Sequence, residues 1–196
     1  MILKLVRAFL NFIFEIFETA ALAIILFLVL YLFLIRPHQI NGDSMLPSYH
    51  DADYLLTEVI SFKFLGRGLQ RGDIIVFHAP EQPNLDFIKR IIALPGEKIK
   101  LQNGQVFIIN SDHPEGFLLK EPYLPSTVTT QSGELIQEGE LFEVGQAYLV
   151  MGDNRPRSSD SRDWGVVKKE AVVGRVWLRY WPPPALALVS TPEYPD

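Results

Sequence analysis

The 196-residue sequence contains no cysteine. That excludes disulfides, a thiol nucleophile and cysteine-ligated metal, and it suits either side of a bacterial membrane. Surplus positive charge is also missing: 18 Lys and Arg stand against 23 Asp and Glu, a net charge of −5. Nucleic-acid binding favours a basic patch or stripe, and the only adjacent lysine pair is Lys168-Lys169, so no nucleic-acid partner is expected. None of the four histidines, His38, His50, His78 and His113, sits in an H-E-x-x-H or similar zinc-ligand spacing. The G-x-S-x-G elbow of one hydrolase class is absent around Ser44, because position 46 is Leu. No internal repeat is present.

What the chain does have begins with an apolar run. Positions 19–35, TAALAIILFLVLYLFLI, carry no charge and as a helix span roughly 25 Å, the short end of a membrane crossing. The apolar residues at 12–17 lengthen it if Glu15 and Glu18 reach toward the interface. A buried core helix and a cleavable signal peptide compete with this reading. A run without a polar face argues against the first, and the following IRPHQINGD lacks a small-x-small cleavage pattern. We therefore expect a cytoplasmic segment at 1–18, an uncleaved transmembrane anchor at 19–35 and one extracytoplasmic domain at 36–196. Lys4 and Arg7 before the run outweigh Arg36 after it, which orients the N-terminus to the cytoplasm.

Beyond the anchor the texture changes to short β-like runs punctuated by Gly, Pro and Asn. Candidate strands are 53–59, 73–78, 86–93, 105–109, 146–151 and 171–181, with turn signals at Arg71-Gly72-Asp73, Pro95-Gly96-Glu97 and Asn103-Gly104. The expected fold class is mainly β, an antiparallel sheet domain carrying a loop-rich insertion at 110–143 and preceded by one transmembrane helix. The closing WPPPALALVSTPEYPD is too short to span a membrane.

Three segments carry the candidate chemistry: NGDSMLPS at 41–48, RGDIIVFHAP to DFIKRIIALPGE at 71–97, and MGDNRPRSSDSRDWG at 151–165. A serine hydroxyl is a weak nucleophile that needs a base beside it. Lys89, flanked by Phe87, Ile88, Ile91 and Ile92, becomes such a base if its surroundings are dry, because desolvation disfavours the ammonium. Lowering its pKa from about 10.4 to about 7–8 costs roughly 3–5 kcal/mol. Each residue also has a plainer reading. Ser44 in a Gly/Asp/Pro-flanked turn is more often a turn-former, Lys89 a strand lysine pointing to water, and 151–165 a polar loop wrapping its own backbone.

Taken together, the segments resemble bacterial type I signal peptidases, membrane proteases with a Ser/Lys dyad. The resemblance rests on the anchor, Ser44-Met45-x-Pro47, Gly72-Asp73-Ile74-Ile75-Val76-Phe77, Lys89-Arg90 with Leu94-Pro95-Gly96-Glu97, and Gly152-Asp153-Asn154 leading to Asp160-Ser161-Arg162. It implies a serine endopeptidase that removes signal peptides from secretory preproteins after small residues, commonly Ala-x-Ala. Ser44 matches the nucleophile and Lys89 the general base. Ser158 matches a serine that helps orient the lysine, and Asp160 and Arg162 a pair that holds the fold. Met45 fits a residue packing under the cleft, and Phe87 and Ile88 are plausible pocket walls. No metal or organic cofactor is implied. Gly42 stands where some members carry an oxyanion-binding serine, which leaves the Ser44 amide as the expected donor.

Nine positions separate Ile35 from Ser44, at most about 30–32 Å of chain, so the nucleophile is expected near the bilayer. Phe62, Phe64 and Leu65 are candidates for an apolar rim touching membrane lipid, or for core. Four rivals bear comparison. Gly42-Asp43-Ser44 is similar to the triplet of GDS-type esterases, but no late D-x-x-H follows. Self-cleaving repressors of the bacterial damage response share the dyad, but join it to a DNA-binding module. A secretion-accessory peptidase with one dedicated substrate, or a silent membrane-anchored β module binding exported chains, completes the set.

Overall fold

The computed structural model describes residues 2–33, 35–63, 66–80, 82, 84–192 and 194. The chain divides into two compact units, 1–36 and 37–196. The first is one helix, α1 (Ile2–Phe33). Its stretch Lys4–Val29 has a mean hydropathy of 2.4 and none of it is buried. The expected division at 18/19 is not a structural break. Residues 2–18 carry enough apolar side chains on good helix formers for the helix to run through Glu15 and Glu18.

In the second unit the strands are short and antiparallel. Chain order is β1 (Ile35–Gln39), β2 (Tyr54–Glu58), a helical turn α2 (Ile60–Lys63), β3 (Ile74–His78), β4 (Asp86–Ala93), β5 (Lys98–Gln102), β6 (Gln105–Ile109), β7 (Phe117–Leu118), β8 (Leu141–Glu143) and β9 (Leu149–Met151). A short helix α3 (Ser161–Trp164), β10 (Val172–Trp181) and β11 (Ala187–Leu188) follow. Among the described residues the larger sheet runs β1-β2-β10-β3-β4-β9, with β11 on β10, and the smaller runs β7-β6-β5-β8.

The unbroken apolar run of β3 is explained by burial on both faces. Ile75 and Phe77 pack with Val59, Ile91, Val150 and Val172 on one side, while Ile74 and Val76 pack with Ile40, Met45, Leu55 and Val176 on the other. β4 pairs with β3 in the register Ile75↔Lys89 and Ile74↔Arg90, so Lys89 shares the face of Ile75. β9 pairs with β4 only from Arg90 onward.

Several expectations needed redrawing. The strands at 86–93 and 105–109 keep their bounds, whereas 146–151 contracts to Leu149–Met151. β5 was missed because Lys98 and Lys100 dilute its apolar content, although Ile99 and Leu101 alternate inward. Asn103 and Gly104, both at positive φ, close the β5–β6 turn. The segment 110–143 is not merely a surface loop. It supplies β7 and β8, buries Leu119 and Ile136 in the core of the smaller sheet, and makes a Thr130 N–H bond to the Gly104 carbonyl of 2.8 Å. Phe64 and Leu65 of the proposed rim, and the side chain of Phe62, lie outside the described residues.

Candidate active site

Ser44 lies in the turn between β1 and β2, and Lys89 near the middle of β4. Lys89 Nζ is 2.9 Å from Ser44 Oγ and donates to the Ile88 carbonyl at 3.2 Å. The lysine is only 5% exposed. Burial lowers its pKa from 10.5 to about 8, against the opposing fields of Asp160 and Asp153. Near that pH a large share of the amine is neutral, and the Ser44 hydroxyl then donates to it. This is the condition for general-base activation of a serine. Lys89 also lies 5.4 Å from the Phe87 ring centroid.

The two residues open into a cavity of about 200 Å³, lined also by Gln39, Ile40, Met45, Asp86, Phe87 and Ile88. Met45, Phe87 and Ile88 thus all line it. Met45 is fully buried and belongs to the same core cluster as Ile40 and Leu55.

Among the described residues the Ser44 amide donates to no protein acceptor, which leaves it free for a developing oxyanion. Gly42 has a φ of 90° with open space where a Cβ would stand, and its amide donates to Asp51 Oδ1 at 2.7 Å. Backbone conformation rather than crowding favours glycine there.

The loop 151–165 forms the platform beneath the nucleophile. Asn154 N–H donates to the Ser44 carbonyl at 3.0 Å, and its side-chain amide donates to the Asp43 carbonyl at 2.9 Å. Gly152 lies so close that a Cβ would come within 2.2 Å of Ser158 Oγ and 2.4 Å of the Ser44 carbonyl. Asp153 accepts from Arg90 Nε and a terminal guanidinium nitrogen at 2.8 and 2.6 Å, and Arg90 also donates to the Gly72 carbonyl at 3.0 Å. Burial opposes the Arg90 charge, but the Asp153 hydrogen bonds and field hold its pKa above the ordinary value. Adjacent residues of β4 thus have opposite fates: Lys89 lacks a carboxylate partner and is easily neutralised, while Arg90 is locked as a cation.

Asp160 caps α3, accepts from Gly152 N–H at 3.0 Å and binds Arg162 Nε at 2.8 Å. Arg162 goes on to the carbonyls of Arg155 at 2.8 Å and Gln131 at 3.1 Å. Arg155 in turn bonds Glu121 and Thr130, so the 110–143 segment braces the platform from behind. Ser158 is buried, and its hydroxyl has no hydrogen-bond partner. The structure contains no bond from it to Lys89, whose two contacts go to Ser44 and Ile88. Asn154, Asp153 and Arg90 were not assigned roles from sequence. Their motif was visible, but nothing local says which side chain turns toward which loop.

The chain matches the family model described as signal peptidase, peptidase S26, over residues 13–181. Signal peptidase IB of Staphylococcus aureus is 31% identical over 175 residues, covering 83% of this chain and 86% of that protein. Signal peptidase I of Leptolyngbya laminosa is 36% identical over 182 residues, covering 89% and 83% respectively. A crystal structure of a signal peptidase I from Enterococcus faecalis is 31% identical, covers 55% of this chain and 95% of its own, and superposes with a TM-score of 0.41.

Proposed function

The chain belongs to the signal peptidase family, peptidase S26, whose members are membrane serine endopeptidases, and we propose that Ser44 and Lys89 are the residues with which it cuts signal peptides from exported preproteins. One observation carries the assignment: a buried amine 2.9 Å from a serine hydroxyl, with its pKa brought down to about 8.

Neutral Lys89 takes the Ser44 proton as Oγ attacks the scissile carbonyl. The oxyanion forms against the Ser44 amide. Lys89, now an ammonium, returns the proton to the departing amine, leaving an ester on Ser44. A water then gives a proton to Lys89 as it attacks that ester, Lys89 returns that proton to Ser44 Oγ as the acyl bond breaks, and the signal peptide leaves as a carboxylic acid that loses its proton to solvent. The buried Ser158 hydroxyl has unfilled capacity that suits the third hydrogen of the Lys89 ammonium. An unpaired buried hydroxyl is costly, about 1–3 kcal/mol, so this role gives it a use during the cycle. Asp160 and Arg162 hold the loop and do not react.

Cutting after alanine-sized residues, as in Ala-x-Ala sites, is what the family resemblance implies, and the cavity walls Met45, Phe87 and Ile88 beside Ser44 offer such side chains an apolar surface. α1 serves as the anchor, with Lys4 and Arg7 on the cytoplasmic side and the 37–196 unit outside. Exposed Trp181, Leu186 and Leu188 give that unit apolar surface suited to lipid.

The test uses the full chain in lipid with a secretory precursor carrying an Ala-x-Ala site, cleavage being read by mass spectrometry. Wild type cuts after the second alanine, and Ser44→Ala and Lys89→Ala do not. Cleavage retained by a folded Lys89→Ala enzyme removes Lys89 as the base.

A further inference from the structure

Among the residues lining the catalytic cavity, Lys89 is the only base and Asp86 the only acid. In the working state Lys89 is neutral, which leaves Asp86 as the one charged residue of that lining. It is 38% exposed, and its field is not among the influences acting on the Lys89 amine. Two histidines flank it. His78, directly opposite on β3, places Nδ1 2.8 Å from Asp86 Oδ1. His38, on β1, places Nδ1 3.8 Å from Asp86 Oδ2. Lys168 lines a pocket together with His78, and Arg36 stands two residues before His38 on β1. Among the described residues no group of three or more His, Cys, Asp or Glu side chains is arranged to hold a metal ion. The cluster is therefore a matter of charge and not of coordination.

We propose that Asp86, flanked by His38 and His78, is a specificity-determining charge filter at the cleft, selecting against acidic and for basic side chains of the preprotein near the cut. The filter is tuned by pH. Histidine changes charge between pH 5 and 8. With both rings neutral the cluster carries one negative charge, and an acidic substrate side chain meets a like charge in a partly desolvated cleft. With both rings protonated the cluster is net positive, and the discrimination disappears or inverts. His78 is 52% exposed and His38 14% exposed.

The proposal rests on Ser44 and Lys89 being the cutting residues, and its test separates the two ideas. Pairs of precursor peptides identical except for Lys or Glu at one position are cut in the same tube by the full chain in detergent. Each position from five before the cut to two after it is scanned in turn. The ratio of products is read by mass spectrometry, so the loss of rate on protonating Lys89 cancels.

We expect one or more positions where Lys is preferred about threefold or more at pH 8.5, a preference that shrinks toward unity at pH 6. Asp86→Asn abolishes the preference at pH 8.5. His78→Gln keeps it at pH 8.5 but weakens its dependence on pH, and this variant serves if Asp86→Asn does not fold. Efficient cutting with ratios within twofold at every position overturns the filter and leaves the dyad standing. A ratio unchanged at pH 8.5 in Asp86→Asn, or a pH dependence unchanged in His78→Gln, overturns it as well. No cutting of any peptide by wild type refutes the dyad reading instead.

Discussion

Replacing Lys89 by methionine should destroy activity and, at neutral pH, make the domain more stable. The folded protein holds this amine at a pKa of about 8 against an ordinary 10.5. The unfolded chain therefore binds the proton more tightly, and burying the lysine costs about 3 kcal/mol wherever both states are protonated, below about pH 8. The penalty is relieved as pH climbs from about 8 to about 10.5, where the folded state has already lost the proton. Methionine fills a similar volume without a charge. It leaves the Ile88 carbonyl without its 3.2 Å donor, which takes back about 1 kcal/mol.

The net gain is then about 2 kcal/mol at pH 7, or roughly 4–8 °C in Tm for a domain of this size. At pH 10 the gain vanishes or changes sign. All three tryptophans, Trp164, Trp177 and Trp181, lie in the 37–196 unit, so their fluorescence during heating follows that unit and not the anchor helix. The same shift in Tm for Lys89→Met at pH 7 and pH 10 would refute the claim that a neutralisable amine is being held out of water.

Wild-type cleavage should fall about tenfold for each pH unit below 8 and level off above about pH 9, since only the neutral amine acts as base; a flat rate from pH 6 to 9 contradicts this. Asn154→Ala removes the side-chain bond to the Asp43 carbonyl but leaves the backbone bond to Ser44, so kcat should drop about fivefold to tenfold, equivalent to about 1 kcal/mol, with KM little changed. Gly152→Ala drives a Cβ into Ser158 and the Ser44 carbonyl, and should abolish cleavage in a precursor assay even where the protein is recovered folded. Arg90→Leu strands the buried Asp153 carboxylate and should destabilise the domain by about 3–5 kcal/mol in thermal unfolding, whereas exchanging the exposed Lys98–Glu143 pair should leave the unfolding midpoint unchanged.

The apolar run, the strand at 86–93 and the Ser44 and Lys89 candidates could all be read from residue order, because each depends on local features: continuous hydrophobicity, β-branched content, turn residues and a lysine embedded among isoleucines. The limits of local reading show at β5, where alternating lysines hid an inward Ile99 and Leu101, and at 110–143, whose polar composition concealed the Leu119 and Ile136 contacts to the core. The meeting of Ser44 with Lys89, 45 positions apart, depends on the β3–β4 register and on Asn154 gripping the 41–48 turn. So does the contrast between Lys89 and Arg90, neighbours of similar chemistry that alternate across a strand. One enters a carboxylate clamp, and the other opens into the cavity with its charge disfavoured by burial. Burial and partner choice are properties of the assembled sheet, since solvent exclusion arises only when distant segments close over the same point.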